Sequence, residues 1–332
     1  MVTTLKDIAR LANVSVMTVS RVVKNSGYVN SNTRKIVESV IAELDYRPNE
    51  IARSLHKSRT NNILLVIPDI ENPFFSEMIK GTENVLSQHG FRSIFADTDG
   101  RIDNEKEIAE RALGRIADGV ILYCPRAETA YLEFLSARIP VLVVDRRVTS
   151  DSVDHIYVDN KNSAQKAVEY LIENGHRDIG LIGGPQNVMA NLRRKTGYLA
   201  ALKKHGIPIN DRYLFFCGFS FEDGVTAFEY FSKLERRPTA YFSTNDVMAL
   251  GFIQQALENG LSIPGDASIV GFDNISFSRL ISPPLTTVDN PRRNMGALAA
   301  YRMLNRLGKT TEIPAFDLTS DLIVRGSVRR IA

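Results

Sequence analysis

The chain has 332 residues, 44% hydrophobic and 24% charged, with no low-complexity run. That is too long for one small domain and too apolar for a disordered or fibrous protein, so two or three globular units are expected. The net charge of +3 hides an asymmetry: ten Lys/Arg face five Asp/Glu before residue 60, and 31 face 33 after it. A basic end of this kind is the candidate surface for a polyanion, because phosphate neutralisation by Lys and Arg releases condensed counterions. The longest apolar runs, 63–67 and 140–144, fall far short of the roughly 20 residues a spanning helix needs. No signal-peptide pattern opens the chain, which predicts a cytoplasmic protein with no membrane partner. Cys124 and Cys217 lie in apolar, strand-like runs and read as buried free thiols, not as a disulfide or metal pair. No cofactor and no metal are expected.

Three short amphipathic helices are predicted first. Thr4-Leu5-Lys6-Asp7 has the spacing of a capping box and opens a helix through about Leu11, with Ile8, Ala9 and Ala12 inward. After the tight connection Asn13-Val14, Ser15 caps a second helix in which Val19, Val22 and Val23 recur at helical spacing. A third runs from about Asn30, placing Ile36, Val37, Val40, Ile41 and Leu44 on one face, and Tyr46-Arg47-Pro48 stops it. This is the pattern of a helix-turn-helix, whose second helix would enter the major groove with Val16, Met17 and Arg21 outward. Arg21 can bond bidentately to guanine, whereas Val16 and Met17 offer apolar contact such as to a thymine methyl. A small helical packing module with a solvated basic face is the other reading of the same pattern.

From residue 61, β-rich runs alternate with amphipathic stretches, the signature of parallel sheets with crossover helices. One group of strands is predicted at 63–68, 93–96, 119–123, 141–145 and 156–159, a second at 179–182, 213–217, 240–243 and 269–272. The fold class expected is therefore a small all-α helix-turn-helix head plus an α/β core of two doubly wound, parallel-sheet subdomains. In such sheets ligands bind beyond the carboxyl ends of the strands. Neither G-x-G-x-x-G nor G-x-x-x-x-G-K-[ST] occurs, although Ile182-Gly183-Gly184-Pro185 follows a strand, and the five histidines show no metal-ligand spacing. A dinucleotide enzyme therefore loses its signal. A transport binding protein would need a secretion signal where this chain has a basic helical head.

The runs Thr4-Leu5-Lys6-Asp7-Ile8-Ala9-Arg10, Val14 to Val23 and Tyr46-Arg47-Pro48-Asn49-Glu50-Ile51-Ala52-Arg53-Ser54-Leu55 resemble the lactose-repressor (LacI/GalR) family, and the likeness extends over nearly the whole chain. The resemblance implies a DNA-binding transcriptional regulator, a repressor by default, acting as a homodimer on a pseudo-palindromic double-stranded operator. It places DNA contacts at Thr4, Ser15, Val16, Met17, Thr18, Ser20, Arg21, Asn25 and Tyr46. It also implies a hinge helix in the segment 49–58, with contacts from Asn49, Ala52 and Arg53 and with Leu55 wedged into the minor groove. The alternative for Leu55 is an ordinary apolar helix residue. The chain ends without a leucine heptad, which predicts a dimer and not a tetramer.

The core resembles ribose-type periplasmic sugar-binding proteins, which hold a ligand between two lobes. By that resemblance Asn72, Phe74 and Phe75, the pair Asp145-Arg146, and Arg194, Asn245, Asp273 and Asn290 contact a small carbohydrate or sugar acid. Planar carboxylate, amide and guanidinium groups suit vicinal hydroxyls, and aromatic rings suit a C–H face. Asn72, Asn245 and Asp273 could equally cap the helices or turns that follow. Of Phe219 and Phe221, Phe219 is favoured to face the cleft. Arg147 is either a charge for a sugar acid or phosphate, or a solvated loop residue. A phosphorylated or protein corepressor is the alternative effector. The boundaries expected are 1–47 for the head, 48–59 for the hinge, and 60–332 for the core, divided into 60–160 plus 291–319 and 161–290 plus 320–332.

Overall fold

A computed structural model describes residues 4–46 and 59–331. The chain divides into two compact units, Met1–Thr60 and Asn61–Ala332.

The head contains α1 (Leu5–Leu11), α2 (Val16–Val23) and α3 (Ser31–Glu43). Each begins where a side chain supplies the acceptor that the first turn lacks. The Asp7 amide donates to the Thr4 hydroxyl oxygen at 3.4 Å, and the Asp7 carboxylate accepts from the Thr4 amide at 2.9 Å, which completes a capping box. The Thr18 amide donates to Ser15 at 3.1 Å and the Asn32 amide to Asn30 at 2.9 Å. Asn13 makes the α1–α2 turn with φ of 51°, a left-handed conformation that asparagine tolerates. Ile8, Ala9, Ala12, Val19, Val22 and Val37 form the buried core. Ile36, expected inward, is 45% exposed, because Val37, Val40, Ile41 and Leu44 already fill the inner stripe of α3.

The second unit holds two sheets. The first has the order β2-β1-β3-β4-β5, with β1 (Asn62–Ile67), β2 (Arg92–Asp97), β3 (Gly119–Tyr123), β4 (Val141–Val144) and β5 (Asp154–Ile156) all parallel. Both its faces are covered: Ile63, Leu65 and Ile67 of β1 pack to one side, Leu64 and Val66 to the other. Helices α4 (Pro73–Gln88), α5 (Ile102–Arg111) and α6 (Thr129–Ser136) join these strands.

The second sheet has the order β11-β10-β9-β8-β6-β7. Its strands are β6 (Ile179–Gly183), β7 (Leu214–Phe216), β8 (Ala240–Ser243), β9 (Ser268–Asp273), β10 (Thr286–Asp289) and β11 (Asp321–Ile323), parallel except for β11 on β10. Helices α7 (Asn160–Glu173), α8 (Met189–Lys204), α9 (Phe221–Ser232) and α10 (Asp246–Glu258) cover it. The last helix, α11 (Arg292–Arg306), follows β10 yet packs on α4 of the first sheet. The chain thus passes between the lobes near residues 157–159, near 290 and again before 321.

The α4–α11 contact is made backbone to backbone. A Cβ on Gly81 would stand 2.1 Å from the Arg293 carbonyl oxygen, and one on Gly296 would stand 1.9 Å from that of Met78, so only glycine fits either position. Thr82 donates to the Gly296 carbonyl at 2.9 Å across the same seam.

Strands β10 and β11 have no counterpart in the sequence reading. The segment expected as a strand at 156–159 pairs at 154–156 instead, because Asp159 caps α7 by accepting from the Asn162 amide at 3.0 Å. Among the described residues no helix is long and apolar enough to cross a membrane. Both cysteines are free thiols, partly buried where the sequence suggests full burial, and each packs against a core cluster.

Candidate functional site

A cavity of about 370 Å³ lies at the carboxyl ends of the strands, walled by both lobes of the core. From the first lobe it receives Asn72, Phe74 and Phe75 after β1, Cys124 and Arg126 after β3, and Asp145 after β4. From the second it receives Arg194 on α8, Phe219 after β7, Asn245 after β8 and Asp273 at the end of β9. Asn72 and Asn245 line the cavity and cap helices at once. The Phe74 amide donates to Asn72 at 3.0 Å and the Met248 amide to Asn245 at 2.9 Å. These bonds fix the two amides in place before any ligand arrives. Phe74 and Phe75 meet edge to face, 5.1 Å between centroids. Asp145 and Asp273 have φ of 58° and 109°, strained for residues with a Cβ. Such strain concentrates where side-chain direction matters more than local comfort.

Arg194 organises the floor. Its Nε donates to Asn160 Oδ1 at 2.8 Å, one Nη to the Thr244 carbonyl at 2.5 Å, and the other Nη lies 3.1 Å from Asp273 Oδ1. Its guanidinium also stacks 3.9 Å from the Phe272 ring centroid. Asn160 in turn donates to Asp145 Oδ1 at 3.3 Å, so one chain of contacts runs from the first lobe's carboxylate to the second lobe's. Burial pushes the Asp273 carboxyl up to about 6, against the pull of Arg194 and Arg292. Asp246, behind it, is pushed up to about 8 by burial and then by the negative charge of Asp273. Burial also raises Asp145, with Arg194 opposing, and raises the Cys124 thiol far above the reactive range, aided by Asp145.

Of the ligand residues expected from sequence, Asn72, Phe74, Phe75, Asp145, Arg194, Phe219, Asn245 and Asp273 line this one cavity. Two do not. Arg146 is turned away, and its guanidinium donates to the carbonyls of Pro125 (3.0 Å) and Ala127 (2.5 Å), bracing the loop after β3. The buried Glu105 braces the same loop, accepting from the amides of Arg126 (2.8 Å) and Ala127 (3.1 Å). Asn290 sits behind the cavity wall, donating to Asp273 Oδ1 at 3.0 Å and accepting from Ser320 at 3.0 Å. Its action on a ligand would be indirect, through Asp273. Arg147 lies over the Tyr157 ring at 5.6 Å and is not among the lining residues. Phe221 begins α9 and does not line the cavity. Sequence reasoning missed Asp69, Glu71, Asp99, Arg126 and Asp223 in the lining, and the bridging Asn160. The strand-end rule would have found Asp69, two residues past β1.

In the head, α2 exposes Val16 (41%) and Met17 (65%), and Arg21 is exposed one turn on. Thr18 and Ser20 are half-buried and Thr4 and Ser15 exposed; Ser15 and Thr18 share a hydroxyl hydrogen bond of 2.9 Å. Asn25, with φ of 48°, accepts from Arg34 at 3.1 Å. Tyr46 packs against the helical core. Asn49, Ala52, Arg53 and Leu55, with the hinge helix expected around them, lie outside the described residues.

Comparison with known proteins agrees with this division. Residues 4–49 match the family described as bacterial regulatory proteins, lacI family, and residues 60–321 match periplasmic binding proteins and sugar binding domain of LacI family. The chain is 35% identical over 330 residues to the HTH-type transcriptional repressor CytR of Escherichia coli (strain K12), covering 99% of this chain and 97% of that one. Among solved structures it is similar to a lac repressor dimer bound to operator and the anti-inducer ONPF, with a TM-score of 0.85 at 26% identity over 99% of this chain and 100% of that one. It is also similar to a complex of the transcriptional regulator CelR with cellobiose, with a TM-score of 0.72 at 29% identity over 98% of this chain and 99% of that one. The chain belongs to the LacI family: it is a DNA-binding transcriptional regulator with a helix-turn-helix head and a core of the periplasmic-binding-protein type.

Proposed function

We propose that this regulator is a cytoplasmic repressor that binds a pseudo-palindromic operator as a homodimer and changes its grip on DNA when a small carbohydrate enters the cleft of the core. The observation that carries this reading is the make-up of the cavity. Three rings, Phe74, Phe75 and Phe219, stand beside Asn72, Asn245, Asp145, Asp273 and Arg194, and these groups come from both lobes. Planar polar groups of this kind match adjacent hydroxyls, and rings match the C–H face of a sugar. The similar regulators solved with cellobiose and with ribose support the class.

A ligand that bridges Asp145 to Arg194, Asn245 and Asp273 favours one lobe arrangement only by its differential affinity for it. DNA affinity then changes by the same coupling free energy, whichever sign it has. On the DNA side, Val16, Met17 and Arg21 read base edges, Thr4, Ser15, Thr18, Ser20, Asn25 and Tyr46 position the head, and Asn49, Ala52, Arg53 and Leu55 act from a hinge at 48–59.

A gel shift with the native operator, repeated over a panel of sugars, tests the proposal. One sugar should change the midpoint, and Asp273→Asn should remove that response while ligand-free operator affinity stays within about threefold. A variant still responding at the wild-type sugar concentration would take Asp273 out of the site.

A further inference from the structure

The charge of the cleft narrows the ligand class beyond a carbohydrate. Its lining carries the carboxylates of Asp69, Glu71, Asp99, Asp145, Asp223 and Asp273, against the guanidinium groups of Arg126 and Arg194. Six carboxylates against two guanidinium groups leave the lining net negative, and of the two only Arg194 is held in an ion pair. Arg194 is engaged on all three nitrogens by Asn160, Thr244 and Asp273. Arg126 donates to the Gly100 carbonyl at 2.7 Å. Arg147, the arginine that the sequence offers to an anion, lies over the Tyr157 ring, and its neighbour Arg146 is turned to the Pro125 and Ala127 carbonyls. An acidic ligand would therefore meet Asp145, 4% exposed and bonded to the neutral Asn160 and Cys124, in a lining where Arg194 is already matched by Asp273 and Arg126 alone is set against the remaining carboxylates. Buried unlike pairs are favourable and like pairs repel, and water screens them least at the floor of a cavity.

We propose that the cleft takes a polyhydroxylated ring bearing no acidic group, that a basic amine on the ring strengthens binding, and that sugar acids and sugar phosphates are rejected. This rests on the carbohydrate reading above and specifies its charge. Glu71 and Asp99, exposed at the mouth, supply the amine preference, and Asp145 at the floor, with the net negative lining around it, supplies the rejection of acids.

The test uses the full chain and matched sets built on one ring each: glucose, glucosamine, glucuronate and phosphorylated glucose, with the same four forms of galactose, and ribose with its phosphate. Binding is read by titration calorimetry and by the rise in melting temperature that a ligand specific for the folded state produces. For each hexose that binds, the amino form should bind more tightly than the neutral parent, and for every ring the acidic forms in its set should bind at least tenfold more weakly. Glu71→Gln combined with Asp99→Asn should shrink the gap between amino and neutral forms, as should about 1 M salt, where the screening length falls to about 3 Å. An acid or phosphate binding as tightly as its parent overturns the charge rule while leaving the carbohydrate reading standing. An amino form no tighter than its parent, or a gap that ignores the double substitution, overturns it too. No binding by any member of any set overturns the carbohydrate reading itself, and the charge rule with it.

Discussion

Arg194 and Asp273 form an ion pair at 3.1 Å in which each side chain is only 5% exposed. Removing one partner of such a pair leaves a buried charge without compensation, at a cost of about 3–5 kcal/mol. Arg194→Met should lower the stability of the core by that amount in urea unfolding. Asp273→Asn, which keeps an acceptor toward Arg194, should cost less. Equal midpoints for Arg194→Met and the parent protein would mean that the pair adds nothing net.

Asp246 predicts a pH dependence. Its folded value of about 8 exceeds the ordinary 3.8, so the folded state prefers the protonated carboxyl. The stability this contributes is complete below pH 3.8 and is lost as pH rises through 8. Between about pH 6 and 8, above the titration of Asp273, the core should lose at most roughly 1.4 kcal/mol per pH unit through this group. Asp246→Asn can still accept from the Ile275 amide and can donate to Thr287, the partners now at 2.9 and 2.5 Å. Its stability should be flatter over that range; an unchanged slope would assign the effect elsewhere.

Gly184 lies directly under the Phe219 ring: a Cβ there would come within 2.0 Å of a ring carbon. Gly184→Ala should therefore turn Phe219 out of the cavity wall, at about 1–3 kcal/mol in stability. Affinity for the bound sugar should fall together with stability. Phe219→Ala should weaken binding without the clash, and a Gly184→Ala variant of full affinity would show that the ring is not part of the site.

For the head, Arg21→Ala should cost about 1–3 kcal/mol of discrimination at one guanine in each half-site, measured as the ratio of operator to random-sequence affinity. Equal weakening on both sequences would make Arg21 a phosphate contact. Ser15→Ala, which removes the acceptor for the Thr18 amide, should destabilise the head by about 1 kcal/mol in thermal unfolding.

The elements legible in the sequence are those whose residues carry their own local signal. Thr4, Ser15 and Asn30 mark helix starts by chemistry alone, and long apolar runs such as 119–123 mark buried strands. Strand β11 carries no such signal, because three residues that pair antiparallel at an edge need no alternation or length. Eight of ten expected cleft residues converge because residues after strands in doubly wound sheets converge by topology. Arg146 departs because residue type and position do not disclose which acceptor a long side chain finds. The carbonyls of Pro125 and Ala127 were closer than the cleft. Glu105 and Asn160 escaped notice for the same reason, since their role is defined by partners 21 and 34 residues distant.

The passage of the chain back to the first lobe has a consequence for biogenesis. Met295, Leu298, Ala299, Met303 and Leu304 of α11 belong to the same buried cluster as Ile63, Leu65 and Ile67 of β1. More than two hundred residues separate them, and the whole second sheet up to β10 is synthesised in between. On the ribosome the first lobe therefore emerges early, with α4 on this face, but the part of the face that α11 covers stays open to water until residue 306 has left the exit tunnel. Transiently exposed apolar surface of this kind is what chaperones bind and what aggregation exploits. A nascent chain arrested before residue 292 should accordingly be protease-sensitive in its first lobe, although every strand of that lobe has already been made.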